Sequence, residues 1–266
     1  MKTLEWNTLR AGTSTECVLV VDFSADAGRQ TGSFSDFVSL LPGRYTVWAP
    51  DHGTWGDPTE TDPAARLAEW LAGADRFGPD VVAVVGYCAG YGLAAAFAEH
   101  LAGPTPAALI LLDPLPVLPQ TLLHEYVEAV GQFAPVLQPE VVGRAVEWAK
   151  ERAKRDNDLL TLARRLTASY TDLAADGCRE LGIETEYGEQ LVRRLSGYLS
   201  YLVIASTAPP PRNSPTLVLR SSEPVSAALP ETYPDAPRLN VSRADLLRSQ
   251  EVADMVTQVL AHSVRD

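Results

Sequence analysis

Residues 80–103, DVVAVVGYCAGYGLAAAFAEHLAG, decide the fold. The run from Val81 to Val85 is apolar at every position, so a strand formed there needs cover on both faces. The chain then turns through Gly86-Tyr87-Cys88-Ala89-Gly90 and continues as a helix over 90–101, which Gly103-Pro104 ends. The same alternation repeats to either side. Cys17–Phe23 (CVLVVDF) reads as a buried strand, 35–41 as a helix and Tyr45–Ala49 (YTVWA) as a second strand. Residues 63–72 have helical spacing with Pro63 in the first turn, and Ala107–Asp113 (AALILLD) is the fourth strand. Strands apolar on both faces and separated by helices predict an α/β architecture, a mostly parallel sheet covered by helices on both faces. The pattern resumes at Thr216–Arg220 and again at Arg238–Val241, and an amphipathic helix over 249–262 closes it.

Residues 115–208 interrupt this alternation with four helical stretches, TLLHEYVEAVGQF, PEVVGRAVEWAKERAKR, NDLLTLARRLTASYTDLAADG and YGEQLVRRLSGYLSYLVIAS. The piece YLVIAS at 201–206 fits strand or helix, and Pro209-Pro210-Pro211 marks a stiff return to the sheet. The reading is one domain over 1–266 with a helical lid at 115–208. The plainer alternative is a helical subdomain with no part in binding.

Composition narrows the function. In 266 residues, 34 acids face 22 bases for a formal charge of −12. That balance opposes a nucleic-acid surface and a polybasic membrane anchor, which both need clustered Lys and Arg. No apolar run is long enough to span a bilayer and no leader is evident, so a cytoplasmic location is expected. Three scattered cysteines, Cys17, Cys88 and Cys178, make neither a disulfide scaffold nor a zinc site. No metal or cofactor motif is present.

Gly86-Tyr87-Cys88-Ala89-Gly90 has the form of the Gly-x-Ser-x-Gly nucleophile elbow with cysteine in place of serine. Such a turn lifts the nucleophile above the sheet and aims a main-chain amide and the helix N-terminus at the reacting oxygen. The plain alternative is a structural cysteine in a glycine-rich turn. Most of the chain resembles the thioesterases of polyketide and nonribosomal peptide biosynthesis, members of the α/β-hydrolase fold. VLVVDFSADAGRQTGSFSDFVSLLPGRYTVWAP resembles their first strand, oxyanion loop, helix and second strand. GYCAGYGLAAAFAEHLAGPTPAALILLD resembles their elbow, helix and next strand, and NVSRADLLRSQEVADMVTQVL the loop and helix that carry the histidine. The resemblance implies Cys88 as nucleophile and Asp113 as triad acid, with Glu223 the runner-up and a turn cap the plain alternative for Asp113. It implies an oxyanion hole from the amides of Ala89 and of Ala25 or Asp26.

The pattern breaks where the histidine belongs. Arg243-Ala244-Asp245-Leu246-Leu247 puts Arg243 there, and an arginine cannot shuttle a proton near neutral pH. A serine would be inert without a base, whereas a thiol ionises near pH ~8.5 and more readily beside a cation. The two departures are therefore consistent, Arg243 favouring the thiolate and pairing with Asp113; both also fit a decayed site. His52, in the loop after the second strand, and His124, at the start of the lid, are the alternative bases. His100 and His262 read as structural.

Two functions remain open. One is a thioesterase- or acyltransferase-like enzyme that takes an acyl chain from an acyl or peptidyl carrier-protein thioester onto Cys88 for release, cyclisation or transfer. It would need no cofactor of its own, the substrate arriving on phosphopantetheine. Tyr126, Phe133, Trp148, Tyr187, Tyr198 and Tyr201 are candidates to line its chamber, and Arg164-Arg165 or Arg193-Arg194 to dock the carrier. The other is a catalytically degenerate hydrolase fold that binds an acyl chain or synthase partner, or catalyses a non-covalent reaction in the same pocket.

Overall fold

The computed structural model describes residues 5–22, 32–51, 62–103, 105–223 and 232–263. Six strands form one sheet: β1 (Trp6–Arg10), β2 (Cys17–Val21), β3 (Thr46–Pro50), β4 (Val81–Tyr87), β5 (Ala108–Leu112) and β6 (Leu217–Leu219). Their order is β1-β3-β2-β4-β5-β6, with β1 antiparallel to β3 and every other pairing parallel. All residues of β2, β4 and β5 are buried. Successive side chains point to opposite faces, so helices must cover both sides of these central strands.

Helices α1 (Phe34–Leu40), α2 (Pro63–Ala74), α3 (Tyr91–His100) and α8 (Gln250–His262) belong with the sheet. Helix α3 packs on β2, β4 and β5, and α8 on β5 and β6. Helix α3 comes especially near β4 at Gly86, where a Cβ would lie 2.7 Å from the Ala94 methyl and 2.9 Å from the Tyr91 Cα. Only glycine lets α3 come this near β4, and that approach fixes the turn that follows.

The insertion folds into α4 (Pro119–Gly131), α5 (Pro139–Arg155), α6 (Leu159–Leu181) and α7 (Thr185–Ser206), the ambiguous 201–206 being helical. Proline at the first turn starts α4 and α5, and Gly182, at φ 63°, ends α6. The chain divides into two compact units. The described residues of one fall within Met1–Thr54, Ala64–Pro116 and Ala205–Asp266; those of the other lie mainly within Val117–Ile204. The physical reason is that α4, α5 and α6 bury their apolar faces on one another.

One strand was not anticipated and one expected strand is absent among the described residues. The N-terminal segment forms β1, whose Trp6 packs edge-on against Phe77 and Phe97 at 5.1 and 5.3 Å. Residues 238–241 make no strand; Arg238 forms a lone parallel bridge with Arg220. Among the described residues no helix is long and apolar enough to cross a membrane.

Gly86→Ala should destabilise the fold by about 2 kcal/mol, because backbone as well as a methyl must move. A urea midpoint that falls at constant slope would show this; an unchanged midpoint would mean that α3 has room to recede.

Candidate active site

The carboxyl edge of the sheet gathers the chemistry-bearing residues of the larger unit. Strand β4 ends at Tyr87, and Cys88 follows at φ 53°, in the left-handed region that non-glycine residues seldom enter. A short 3-10 turn over Cys88–Gly90 then leads into α3. The strain is held by main-chain bonds: the amides of Tyr91 and Leu115 both donate to the Cys88 carbonyl, the latter at 3.2 Å. Ala89, whose amide was assigned to the oxyanion hole, is buried directly after the cysteine.

Asp113 follows β5 in the same left-handed region, at φ 45°. Its amide donates to the Leu219 carbonyl at 2.8 Å. The Ser221 amide donates to Oδ1 at 2.7 Å and the Ser221 hydroxyl lies 2.6 Å from Oδ2. The residues after β6 therefore aim this carboxylate.

Arg243 reaches the same place from the loop before α8. Its Nη2 donates to Cys88 Sγ at 2.8 Å and its Nη1 lies 3.7 Å from Asp113 Oδ2. The guanidinium carbon sits 5.7 Å from the centre of the Tyr87 ring, and the Tyr87 hydroxyl donates to the Arg243 carbonyl at 3.4 Å. The loop is pinned on both sides of these contacts. Gly32 donates to the Ala244 carbonyl at 2.7 Å, Ser242 and Asp245 close a side-chain turn at 2.7 Å, and Leu246 and Leu247 are buried. Burial pushes the Tyr87 phenol up, the Arg243 charge opposing it while those of Cys88, Asp22 and Asp113 add to it. The phenol therefore stays protonated.

Cys88, Asp113 and Arg243 thus meet in one cluster. Glu223 does not join it: its side chain is exposed, and its carbonyl lies 2.9 Å from the Ser221 hydroxyl. Ala25, Asp26 and His52 lie outside the described residues. His124 is on α4, in the helical unit. His100 pairs with Asp75 at 2.7 Å, and His262 meets the Gln258 carbonyl at 2.6 Å. Of the aromatic residues proposed to line a chamber, Tyr126, Phe133, Tyr198 and Tyr201 are buried; Tyr126 bonds to Ser169, and the last two stack on each other. Trp148 lies under Arg152, and Tyr187 is exposed. Arg165 is matched with Asp156 and Arg193 with Glu189, so neither arginine pair is a bare basic patch.

Two residues escaped the sequence reading. Ser221 is the buried anchor of Asp113, signalled by the polar pair that ends TLVLRSS. Asp22 is a buried acid directly after β2, signalled by CVLVVD ending as AALILLD does. Among the described residues no group of three or more His, Cys, Asp or Glu side chains is arranged to hold a metal.

A family model described as "Alpha/beta hydrolase family" matches residues 25–262. No curated protein matches the chain. Among solved structures, the Vlm2 thioesterase domain bound with a dodecadepsipeptide is similar at TM-score 0.51 and 15% identity, over 95% of this chain and 96% of that one. A four-domain nonribosomal peptide synthetase bound to AMP and glycine gives 0.49 at 13% identity, over 98% of this chain and 20% of that one. The NocB thioesterase domain, in covalent complex with a fluorophosphonate nocardicin G analog, gives 0.45 at 13%, over 98% and 99%. At these identities the likeness is one of fold.

All three cysteines are buried and free of disulfides, yet their reactivity should differ. Burial, aided by the Asp80 charge, pushes the Cys17 thiol up to about 12, so it stays protonated through mildly alkaline solution. Peptide mapping after iodoacetamide treatment should find Cys88 labelled and Cys17 not. Arg243→Ala should slow labelling of Cys88 at neutral pH by about tenfold, since the cation facing the sulfur is gone. An unchanged rate would mean that Arg243 does not govern the thiol.

Proposed function

The chain belongs to the alpha/beta hydrolase family, and on that premise we propose that it processes acyl chains, taking them from a carrier-protein thioester onto Cys88. The observation that carries this reading is the 2.8 Å contact between the Arg243 guanidinium and the Cys88 sulfur. It sets a permanent cation against the sulfur of the elbow, where the family's serine would need a proton acceptor. The sequence resemblance to thioesterases of polyketide and nonribosomal peptide synthesis supports the substrate class, and the thioester would arrive on the phosphopantetheine of an acyl or peptidyl carrier protein.

The chemistry suits a site whose histidine position holds arginine. A thiolate attacks the thioester carbonyl, the tetrahedral oxyanion collapses, and the pantetheine sulfur leaves as a thiolate. One thiolate enters and one departs, so this step moves no proton and needs no general base. The oxyanion would be met by the Ala89 amide at the start of α3, with a second amide from 25 or 26. Asp113 then serves the guanidinium rather than an imidazole: held by Ser221, it fixes the fork that faces the sulfur. Release by water would need a base, so cyclisation or transfer to another nucleophile is the favoured outcome.

Incubation with an acyl-pantetheine thioester should add one acyl mass to the intact protein, and Cys88→Ala should abolish the adduct. Cys88→Ser should also lose it, by about 100-fold or more in rate, because a hydroxyl needs a general base and the histidine position holds Arg243. Product formation that persists unchanged in Cys88→Ala would contradict the covalent reading and favour a non-covalent or purely binding role.

A further inference from the structure

The large apolar side chains left exposed among the described residues stand at one turn of the helical unit. Leu181 ends α6, Ile183 lies in the turn and Tyr187 is in the first turn of α7, at 56%, 43% and 58% exposure. Gly182, at φ 63°, lets the chain reverse there, and the Ile183 amide donates to the Cys178 carbonyl at 3.1 Å. In a turn closed this way the residue at Ile183 often packs back on its helix, whereas here it stays open to water. Single apolar residues on a surface need no explanation; a cluster rimmed by polar groups marks a place where something binds.

A mostly apolar cavity of about 350 Å³ adjoins this patch, walled by Ala174 and Ala175 of α6 and by Thr185, Gly188 and Val192 of α7. Thr185 falls between Ile183 and Tyr187 in sequence, and Gly188 directly follows Tyr187. A Cβ at Gly188 would lie 3.0 Å from Cys178 Sγ and 3.4 Å from the Ala174 carbonyl oxygen, so the two helices approach closely here. Small residues on adjoining helices leave a furrow that side chains of a third helix can fill. The rim is acidic. Over residues 176–190 five acids, Asp176, Glu180, Glu184, Glu186 and Glu189, accompany one base, Arg179. Arg179 pairs with Asp176 at 2.7 Å, and Arg193 with Glu189 at 3.5 Å. Glu180, Glu184 and Glu186 are exposed, with no such pair among the described residues. Two copies of this turn would set like charges together, so the surface does not fit itself.

We propose that the α6–α7 turn is a docking surface for a cationic amphipathic helix of another polypeptide. Its apolar face would cover Leu181, Ile183 and Tyr187 and fill the adjoining cavity, and its Lys and Arg would meet Glu180, Glu184 and Glu186. Apolar burial supplies the hold, while the three carboxylates select a basic partner over an acidic one. The Tyr187 ring suits the centre of such a contact, since it offers a large apolar face and a hydroxyl that tolerates water. This surface does not depend on the chemistry proposed for Cys88.

The test uses the full chain and two fluorescently labelled synthetic helices with leucine at positions i, i+3, i+4 and i+7, one with lysine and one with glutamate on the other face. Fluorescence anisotropy should show the lysine peptide bound, and the glutamate peptide weaker by about tenfold or more. Tyr187→Ser should weaken the lysine peptide by about tenfold, and so, separately, should Ala175→Trp, which fills the cavity from an exposed position. Both residues are exposed, and an unchanged circular dichroism spectrum checks that each variant folds. Because the chain carries a formal charge of −12, an affinity unaltered in both variants would mean that the lysine peptide reads only overall charge, and it overturns the docking surface. Equal affinity for the two peptides overturns it as well. A dimer in sedimentation that Tyr187→Ser dissociates would give the patch to a second copy of this chain, and would overturn the proposal in that way.

Discussion

Taking a guanidinium out of water costs several kcal/mol unless acceptors meet its N–H groups, and the Arg243 side chain is only 19% exposed. The rest of the site is arranged around that demand. Cys88 and Asp113 face the fork at 2.8 and 3.7 Å, and the Tyr87 ring lies beneath it. Each partner is fixed by a different part of the chain: the cysteine by the turn after β4, the aspartate by Ser221 after β6, the arginine by the loop before α8. Removing the cation would take from a buried carboxylate and a buried sulfur the charge that faces them, so the arginine holds the edge together.

The turn at Cys88 depends in its own way on what is missing from Gly86. Because α3 rests almost on the β4 backbone, the chain must reverse within three residues, and Cys88 takes a left-handed conformation to do so. Strain of this kind costs of order 1–3 kcal/mol per residue and persists only where surrounding packing over-determines it. Asp113 shows the same conformation one strand away. Two adjacent strained residues at the end of a fully buried sheet mark the place where the structure gives up stability for geometry.

Much of this was legible in the sequence. The apolar runs of β2, β4 and β5 are long, buried on both faces and punctuated by glycine and proline, so local pattern and tertiary outcome agree. Cys88, Asp113 and Arg243 are adjacent in space because the family's order of elements carries them there, and motif spacing records that order. Asp22 was not legible in this way, since an acid between a strand and a loop usually points into water, whereas this one is buried. Ser221 looks like any turn residue until β6 is placed next to β5. Strand β1 has one fully buried residue, Trp6, and its pairing with β3 alone leaves no periodic trace. The segment after 232 is gripped by the Arg220 guanidinium, which donates to the carbonyls of Tyr233 and Pro234. That grip leaves Arg238 with one bridge to Arg220 instead of a strand.

The central claim of the proposal is that catalysis passes through sulfur with the Arg243 guanidinium beside it. Rapid-quench measurement of pantetheine thiol released from an acyl-pantetheine thioester tests it most directly. A burst of about one equivalent per active site before the steady state, present in the native chain and absent from Cys88→Ala, is the predicted result. Thiol release that is linear from the first time point, at the same rate in both proteins, would contradict it.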